Sequence, residues 1–323
     1  ALAHNEDLAT AEANLRQARE QASATAGAQG PKVDAGYQAE RTRISGALSP
    51  PLADNVSYLY TLHTAQVTVA YPLDLFGAGR NAVRSARAAA EVAGQRLVAA
   101  RIAAVANLVV ATIQHAALDA QVTATEKAIA DNRALVAMLE RRRALGDVGL
   151  AEVTAQQTVL ANVEATLPAL ERQRDHQAGL ILSLLGRPAG SPLPELPGME
   201  ELRLPADLPL SLPSDIVAHR PDVRAAEAQM RGAAADVGAA IAARLPAITL
   251  SGNAGGSATR FLDMFASGNP FFALIGGVTQ PIFHSGELRH RQRAAEAALD
   301  AAKAQYRAAA LQAFLDVDDA LSG

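Results

Sequence analysis

The chain has 323 residues, no cysteine, no tryptophan, a formal net charge of -4, and 50% hydrophobic but only 4% aromatic residues. Its 74 alanines favour closely packed helices over a sandwich or a Rossmann sheet, because alanine is both the strongest helix former and small enough for close helix approach. The missing cysteines exclude disulfides, thiolate metal sites and cysteine nucleophiles, and 29 basic against 33 acidic residues leave no nucleic-acid footprint.

The chain opens in helix, with Leu2, Leu8 and Leu15 recurring around Glu6, Asp7 and Glu12; no signal peptide precedes them, so it reads as trimmed at its start. Pro31 leads into an extended stretch, VDAGYQAERTRIS, then a loop, then a second extended stretch, SYLYTLHTAQVTVAY, ending at Pro72. Strands are expected over about 31–46 and 57–72. From Gly77 to Arg143 there is no proline, and Val98, Ile102, Val105, Val109, Leu118, Val122, Ile129, Val136 and Leu139 recur at spacings of 3 and 4. That pattern predicts one amphipathic helix over about 77–144, on the order of 100 Å long. Gly146 and Gly149 punctuate a turn, LGDVGL, and Leu150, Val153, Leu160, Val163, Leu167 and Leu170 mark a returning helix over about 150–186, which Pro168 is expected to kink or interrupt.

Residues 187–213 hold seven of the 16 prolines and read as an extended linker. Ser214 and Asp215 then open a helix with acceptable capping chemistry. From this helix onward the chain repeats its own beginning. Residues 1–33 align without a gap on 216–248, pairing His4 with His219, Asp7 with Asp222, Glu12 with Glu227, Arg16 with Arg231 and Pro31 with Pro246. YPLDLFGAGR aligns with QPIFHSGELR, pairing Pro72 with Pro281, Gly77 with Gly286 and Arg80 with Arg289. The first repeat spans 1–186 and the second 214–323, with a helix, strands over about 246–258 and 270–281, and the start of a long helix. The equivalent of 115–187 is not present in the second copy, which therefore reads as incomplete.

Ten of the twelve Phe and Tyr residues fall in the two strand windows. No uninterrupted run of about 18 apolar residues marks a membrane helix, but a β-barrel leaves a weaker signal. Four strands cannot close a barrel, which needs about eight, and open edges do not occur in lipid. Strands pooled from several chains would solve this; a pair of soluble hairpins capping a helical bundle is the other reading.

The repeated helix, strand, strand, long-helix unit, the PLDLFGAGR block, its PIFHSGELR counterpart, SLLGRP and SLPSDIVAHRPDVRAAEAQMR together resemble the outer membrane efflux protein family, the TolC-like channels. They are most similar to its lipoprotein branch, which serves drug and metal pumps of the RND type. The resemblance covers essentially the whole chain. It implies a mainly α protein with membrane β: long antiparallel helical hairpins forming a periplasmic α-barrel, and four strands per chain in a 12-stranded outer-membrane β-barrel shared by a homotrimer. The proline linker would lie at an equatorial belt. The implied function is the exit duct of a tripartite efflux pump in a Gram-negative bacterium, a passive conduit for drugs or other toxic small molecules without catalysis or cofactor. A type I secretion conduit and a soluble coiled-coil scaffold are the alternatives. The implied partners are two further copies, a periplasmic adaptor, an inner-membrane RND-type pump and outer-membrane lipid. The branch's lipidated cysteine is absent from this sequence, and gate residues of a second hairpin cannot be carried over.

On that resemblance the tip Leu145, Gly146, Asp147, Val148, Gly149 and Leu150 is the expected adaptor contact; otherwise it is an ordinary helix–helix turn, and either glycine can be the one the turn requires. Arg141, Arg142 and Arg143 are candidates for ion pairs at a closed aperture, or simply a solvated face. Asp316, Asp318 and Asp319 are weaker candidates for binding ions in the tunnel. Tyr58, Tyr60, Tyr71, Phe271 and Phe272 are the expected membrane-interface aromatics. The seven histidines form no HExxH and no i, i+4 pair, so no metal site is expected. GAG at 77–79 lacks a βαβ context, and no nucleophile elbow surrounds any serine, so no enzyme is read here.

Overall fold

The computed structural model describes residues 5–43, 59–203 and 213–322. Their order is α1 (Glu6–Gly27), β1 (Lys32–Arg43), β2 (Leu59–Leu73), α2 (Ala78–Ala144), α3 (Leu150–Leu184), α4 (Pro213–His219), α5 (Pro221–Ala242), β3 (Ala247–Ala258), β4 (Pro270–Thr279) and α6 (Glu287–Ser322). α1 and α5 each have 22 residues, β1 and β3 each have 12, and both pairs are offset by 215 positions.

Contacts divide the chain into two units, Ala1–Asn14 with Arg96–Leu212, and Leu15–Gln95 with Pro213–Gly323. In the first, the two long helices run antiparallel, as their cross-links show: Arg133 to Glu164 at 2.7 Å, Gln156 to Asn132 at 2.7 Å and Gln157 to Glu140 at 3.2 Å. Val122, Ile129 and Val136 are buried, and their seven-residue spacing is the seam of a coiled coil. Val98, Ile102, Val105 and Val109 are exposed on the same helix. Among the described residues α2 is long and apolar enough to cross a bilayer by length and composition, although polar residues interrupt its apolar stretches.

Pro168 does not interrupt α3, which is helical on both sides of it. A proline removes one N–H from the ladder and crowds the carbonyl four residues back, but the 35-residue helix retains its other hydrogen bonds and its packing on α2. At the start of α1, Asn5 caps the helix by accepting from the Leu8 N–H at 3.1 Å and donates its amide to the Leu184 carbonyl at 3.2 Å. Asn5 is itself buried, 7% exposed.

In the second unit, α5 and α6 run antiparallel, with Arg220 on Asp316 at one end and Arg244 on Gln292 at the other. Alanine content becomes packing here. Ala228 and Ala313 are completely buried, and Gly232 leaves its would-be Cβ only 3.3 Å from the Ala88 Cβ. Such small residues let backbones approach closely. The expected single helix opening at Ser214 is instead two, α4 and α5, broken at Arg220. Pro221 sits at the first position of α5, lacks an N–H, and holds Arg220 extended at φ -64°, ψ 132°.

The four strands form one antiparallel sheet in the order β1-β2-β3-β4. Both outer edges, on β1 and β4, have no strand partner among the described residues.

Candidate functional site

Register assigns each strand residue to a face. Val33 pairs with Val69, Ala35 with Val67, Ala65 with Gly256, Tyr71 with Leu250, and Ala254 with Phe272. Directly paired residues share a face and alternate residues return to it. One face therefore carries Val33, Ala35, Val67, Val69, Tyr71, Leu73, Ile248, Leu250, Phe272, Leu274 and Val278. The opposite face carries Asp34, Gln38, Glu40, Thr64, Gln66, Thr68, Thr249, Ser251 and Asn253. The second face is mainly polar on β1 to β3 but turns apolar on β4, with Phe271, Ala273 and Ile275, and the apolar side is not covered: Val33, Val67, Leu274 and Val278 are all exposed. On β2 the apolar run from Ala65 to Leu73 spans nine residues, about 30 Å along the strand. Tilted about 40°, it gives a band roughly 23 Å tall, close to that of an outer-membrane wall.

The same register divides the aromatics. Tyr71 and Phe272 lie on the apolar face, Tyr60 and Phe271 on the polar one. Because successive strand side chains alternate, adjacent Phe271 and Phe272 cannot share a face. Tyr58 lies outside the described residues. The residue sequence reasoning did not single out is His63, which stands at the loop-side limit of the apolar band. Its Nδ1 shares a 2.8 Å hydrogen bond with the Tyr37 hydroxyl, and Phe261 meets both rings edge-on. Phe261 belongs to the β3–β4 loop, so local pattern alone does not bring it there.

At the hairpin turn, Gly146 occupies the left-handed region at φ +81°. The Asp147 N–H bonds the Arg142 carbonyl at 3.0 Å and the Gly146 N–H the Arg143 carbonyl at 2.9 Å, the two bonds of a Schellman cap. Gly146 is thus the glycine the turn requires. Gly149 is extended at φ -83°, ψ 163°, and nothing lies within 4 Å of the Cβ it lacks. No contact among the described residues demands glycine there. Leu145 and Leu150 are exposed. Of the three arginines, Arg142 grips Asp147 at 2.6 Å, while Arg141 and Arg143 have no ion pair among the described residues.

Asp316 accepts from Arg220 and from Gln312, both at 2.7 Å, and Arg220 also reaches Asp222. The Arg220 hydrogen bond holds the Asp222 carboxyl below its ordinary range; Gln312 and then Arg220 do the same for Asp316. Arg220, at the break between α4 and α5, is therefore the centre of an ion-pair network that ties the start of α5 to α6. Asp74, which accepts from the Arg80 N–H at 2.8 Å at the start of α2, gives PLDLFGAGR its acid. Burial would raise its pKa, but the Arg80 and Gly79 amides and the Arg80 guanidinium outweigh that and lower it. Among the described residues no group of three or more His, Asp or Glu is placed to hold a metal ion.

A model of the outer membrane efflux protein family matches residues 1–187 and 212–323. The pyoverdine export outer membrane protein OpmQ of Pseudomonas putida is 30% identical over 99% of this chain and 68% of its own length. A membrane protein from Pseudomonas aeruginosa superposes with a TM-score of 0.92 at 28% identity, over 99% of this chain and 74% of that one. The outer membrane protein VceC of Vibrio cholerae superposes with a TM-score of 0.85 at 26% identity, over 99% of this chain and 76% of that one.

Proposed function

Because this chain belongs to the outer membrane efflux protein family, we propose that it is the outer-membrane exit channel of a tripartite efflux assembly, working as a trimer. The observation that carries this reading is the sheet. It has an apolar face of bilayer height, a polar face, and two open edges. In lipid every backbone N–H and C=O must be paired. Four strands cannot achieve this alone, but the β4 edge of one copy can pair with the β1 edge of the next, and three copies close a ring. The polar faces then line a water-filled lumen, with Asp34, Glu40 and Gln66 from each copy along the wall. A soluble scaffold would instead leave the apolar face against water.

The exposed apolar residues of α2 supply the same logic outside the membrane: Val98, Ile102, Val105 and Val109 need a neighbouring helix. The hairpin turn is the contact for a periplasmic adaptor, which in turn connects an inner-membrane pump. Gly149 supports this, since a glycine that no contact among the described residues requires leaves room for a partner's backbone. Arg141 and Arg143 remain available for inter-copy ion pairs at the entrance, whereas Arg142 serves the turn itself. Small molecules would pass down the lumen, with no bond made or broken by the channel.

The mass of the full-length protein extracted from the outer membrane into detergent, read by light scattering after size exclusion, tests the assembly. A detergent-dependent trimer is expected; a monomer soluble in plain buffer would defeat it. Gly149→Arg is expected to abolish efflux in a strain lacking its own channel while leaving the trimer intact. Wild-type efflux by that variant would remove the turn from the adaptor interface.

A further inference from the structure

The charges of β1 are unevenly divided: the polar face carries Lys32 with both acids, and the apolar face carries arginines only. Asp34 and Glu40 share the polar face, where Thr42 donates to Glu40 at 2.9 Å, whereas Arg41 and Arg43 project from the apolar face. No acid stands on that apolar face in any of the four strands. Directly opposite the two arginines are Thr61 and Leu59. Neither arginine has an ion pair among the described residues, although both are exposed. Arg260, in the nearby loop, is by contrast neutralised by Asp263 at 2.8 Å.

The arginines also sit at a defined height. The row formed by Ala39, His63 and Ala258 ends the apolar band on the loop side, and Arg41 and Arg43 come immediately beyond it. Tyr37, His63 and Phe261, gathered just below, make an amphipathic aromatic group of the kind found where hydrocarbon gives way to headgroups. A cation there meets whatever the outer leaflet presents at headgroup depth. Guanidinium binds phosphate oxygens in a two-pronged fashion.

We propose that Arg41 and Arg43 form a binding site on the outer wall for the phosphate groups of an anionic lipid in the outer leaflet. This rests on reading the sheet as a membrane wall and adds to it a specific lipid chemistry. Three copies would place six arginines around the rim, each pair tethering a phosphorylated headgroup while its acyl chains lie on the apolar band below.

The test uses the full-length protein purified in neutral detergent and titrated with phosphorylated lipid A or its dephosphorylated form, with bound lipid read by native mass spectrometry. The wild type is expected to prefer the phosphorylated form about thirtyfold, roughly fivefold per arginine, and R41Q/R43Q to lose that preference. Undiminished preference in R41Q/R43Q overturns the proposal, as does displacement of the lipid by an equal concentration of inorganic phosphate, which would make the site one for the free anion. A fluorophore on Val67→Cys separates this failure from failure of the wall. Quenching by a bilayer-restricted quencher without arginine-dependent lipid binding sinks the lipid site alone; no quenching sinks both.

Discussion

Gly146 and Gly149 stand three residues apart in one turn and answer to different demands. At φ +81° a side chain on residue 146 would press on the following carbonyl, so Gly146→Ala should destabilise the hairpin by about 1–2 kcal/mol. Gly149→Ala, in an extended and open position, should leave stability within about 0.5 kcal/mol of wild type. Denaturant midpoints of the two variants check the contrast, and equal losses would refute it. The Arg220 network makes a second residue-scale prediction. Asp222 and Asp316 titrate below their ordinary range in the folded chain. A depressed carboxylate stabilises the fold above its unfolded value of about 3.9, and that contribution disappears as pH falls through the lower folded value. Arg220→Met should therefore cost stability at pH 7 and progressively less towards pH 2. A pH-independent difference in midpoint would show that the arginine acts by packing alone.

Among elements, the sheet carries the sharpest test, because neighbouring residues on one strand see different solvents. Val69 lies mid-band on the apolar face and Thr68 on the polar face. Val69→Lys should destabilise the membrane-inserted protein by about 2–4 kcal/mol, as a lysine does at the bilayer midplane of a barrel, while Thr68→Lys should be nearly neutral. Unfolding in lipid vesicles compares them, and similar losses would mean that the faces are not divided between lipid and water. The alternation was partly legible in TLHTAQVTVAY, where threonine and glutamine fall between apolar residues. β3 hides it, because AITLSGNAGGSA is rich in small residues that suit either face, and only its pairing with Ala65 and Tyr71 on one side and Phe272 on the other assigns them. Tyr60 and Phe271 face away from Tyr71 and Phe272 because facing depends on parity along each strand.

For the whole molecule the open edges of β1 and β4 are the decisive feature. If β4 of one copy pairs with β1 of the next, cysteines facing each other across that seam will oxidise in a ring. Ala35→Cys combined in turn with Phe272→Cys, Leu274→Cys and Gly276→Cys, all on the apolar face, should include one pair that yields a covalent trimer on a denaturing gel. Dimers as the largest product in every combination would exclude a closed three-copy ring.

The order of helices and strands, the internal repeat and the mainly helical class with four strands are determined by the sequence itself. They rest on local signals: 3- and 4-residue spacing over 67 residues of α2, prolines at strand ends, and two blocks that align at fixed offsets. The tertiary structure alone decided which residues share a sheet face, since a one-residue shift reverses every side chain and the register is fixed by partners as far apart as Thr64 and Ser257. It also decided that Pro221 breaks a helix whereas Pro168 does not: the one stands at a helix start and redirects the chain, the other sits inside a helix whose remaining hydrogen bonds and packing carry it through. Arg220 and Asp316, 96 residues apart, are neighbours only because α5 and α6 fold back on one another, a relation that no local pattern encodes.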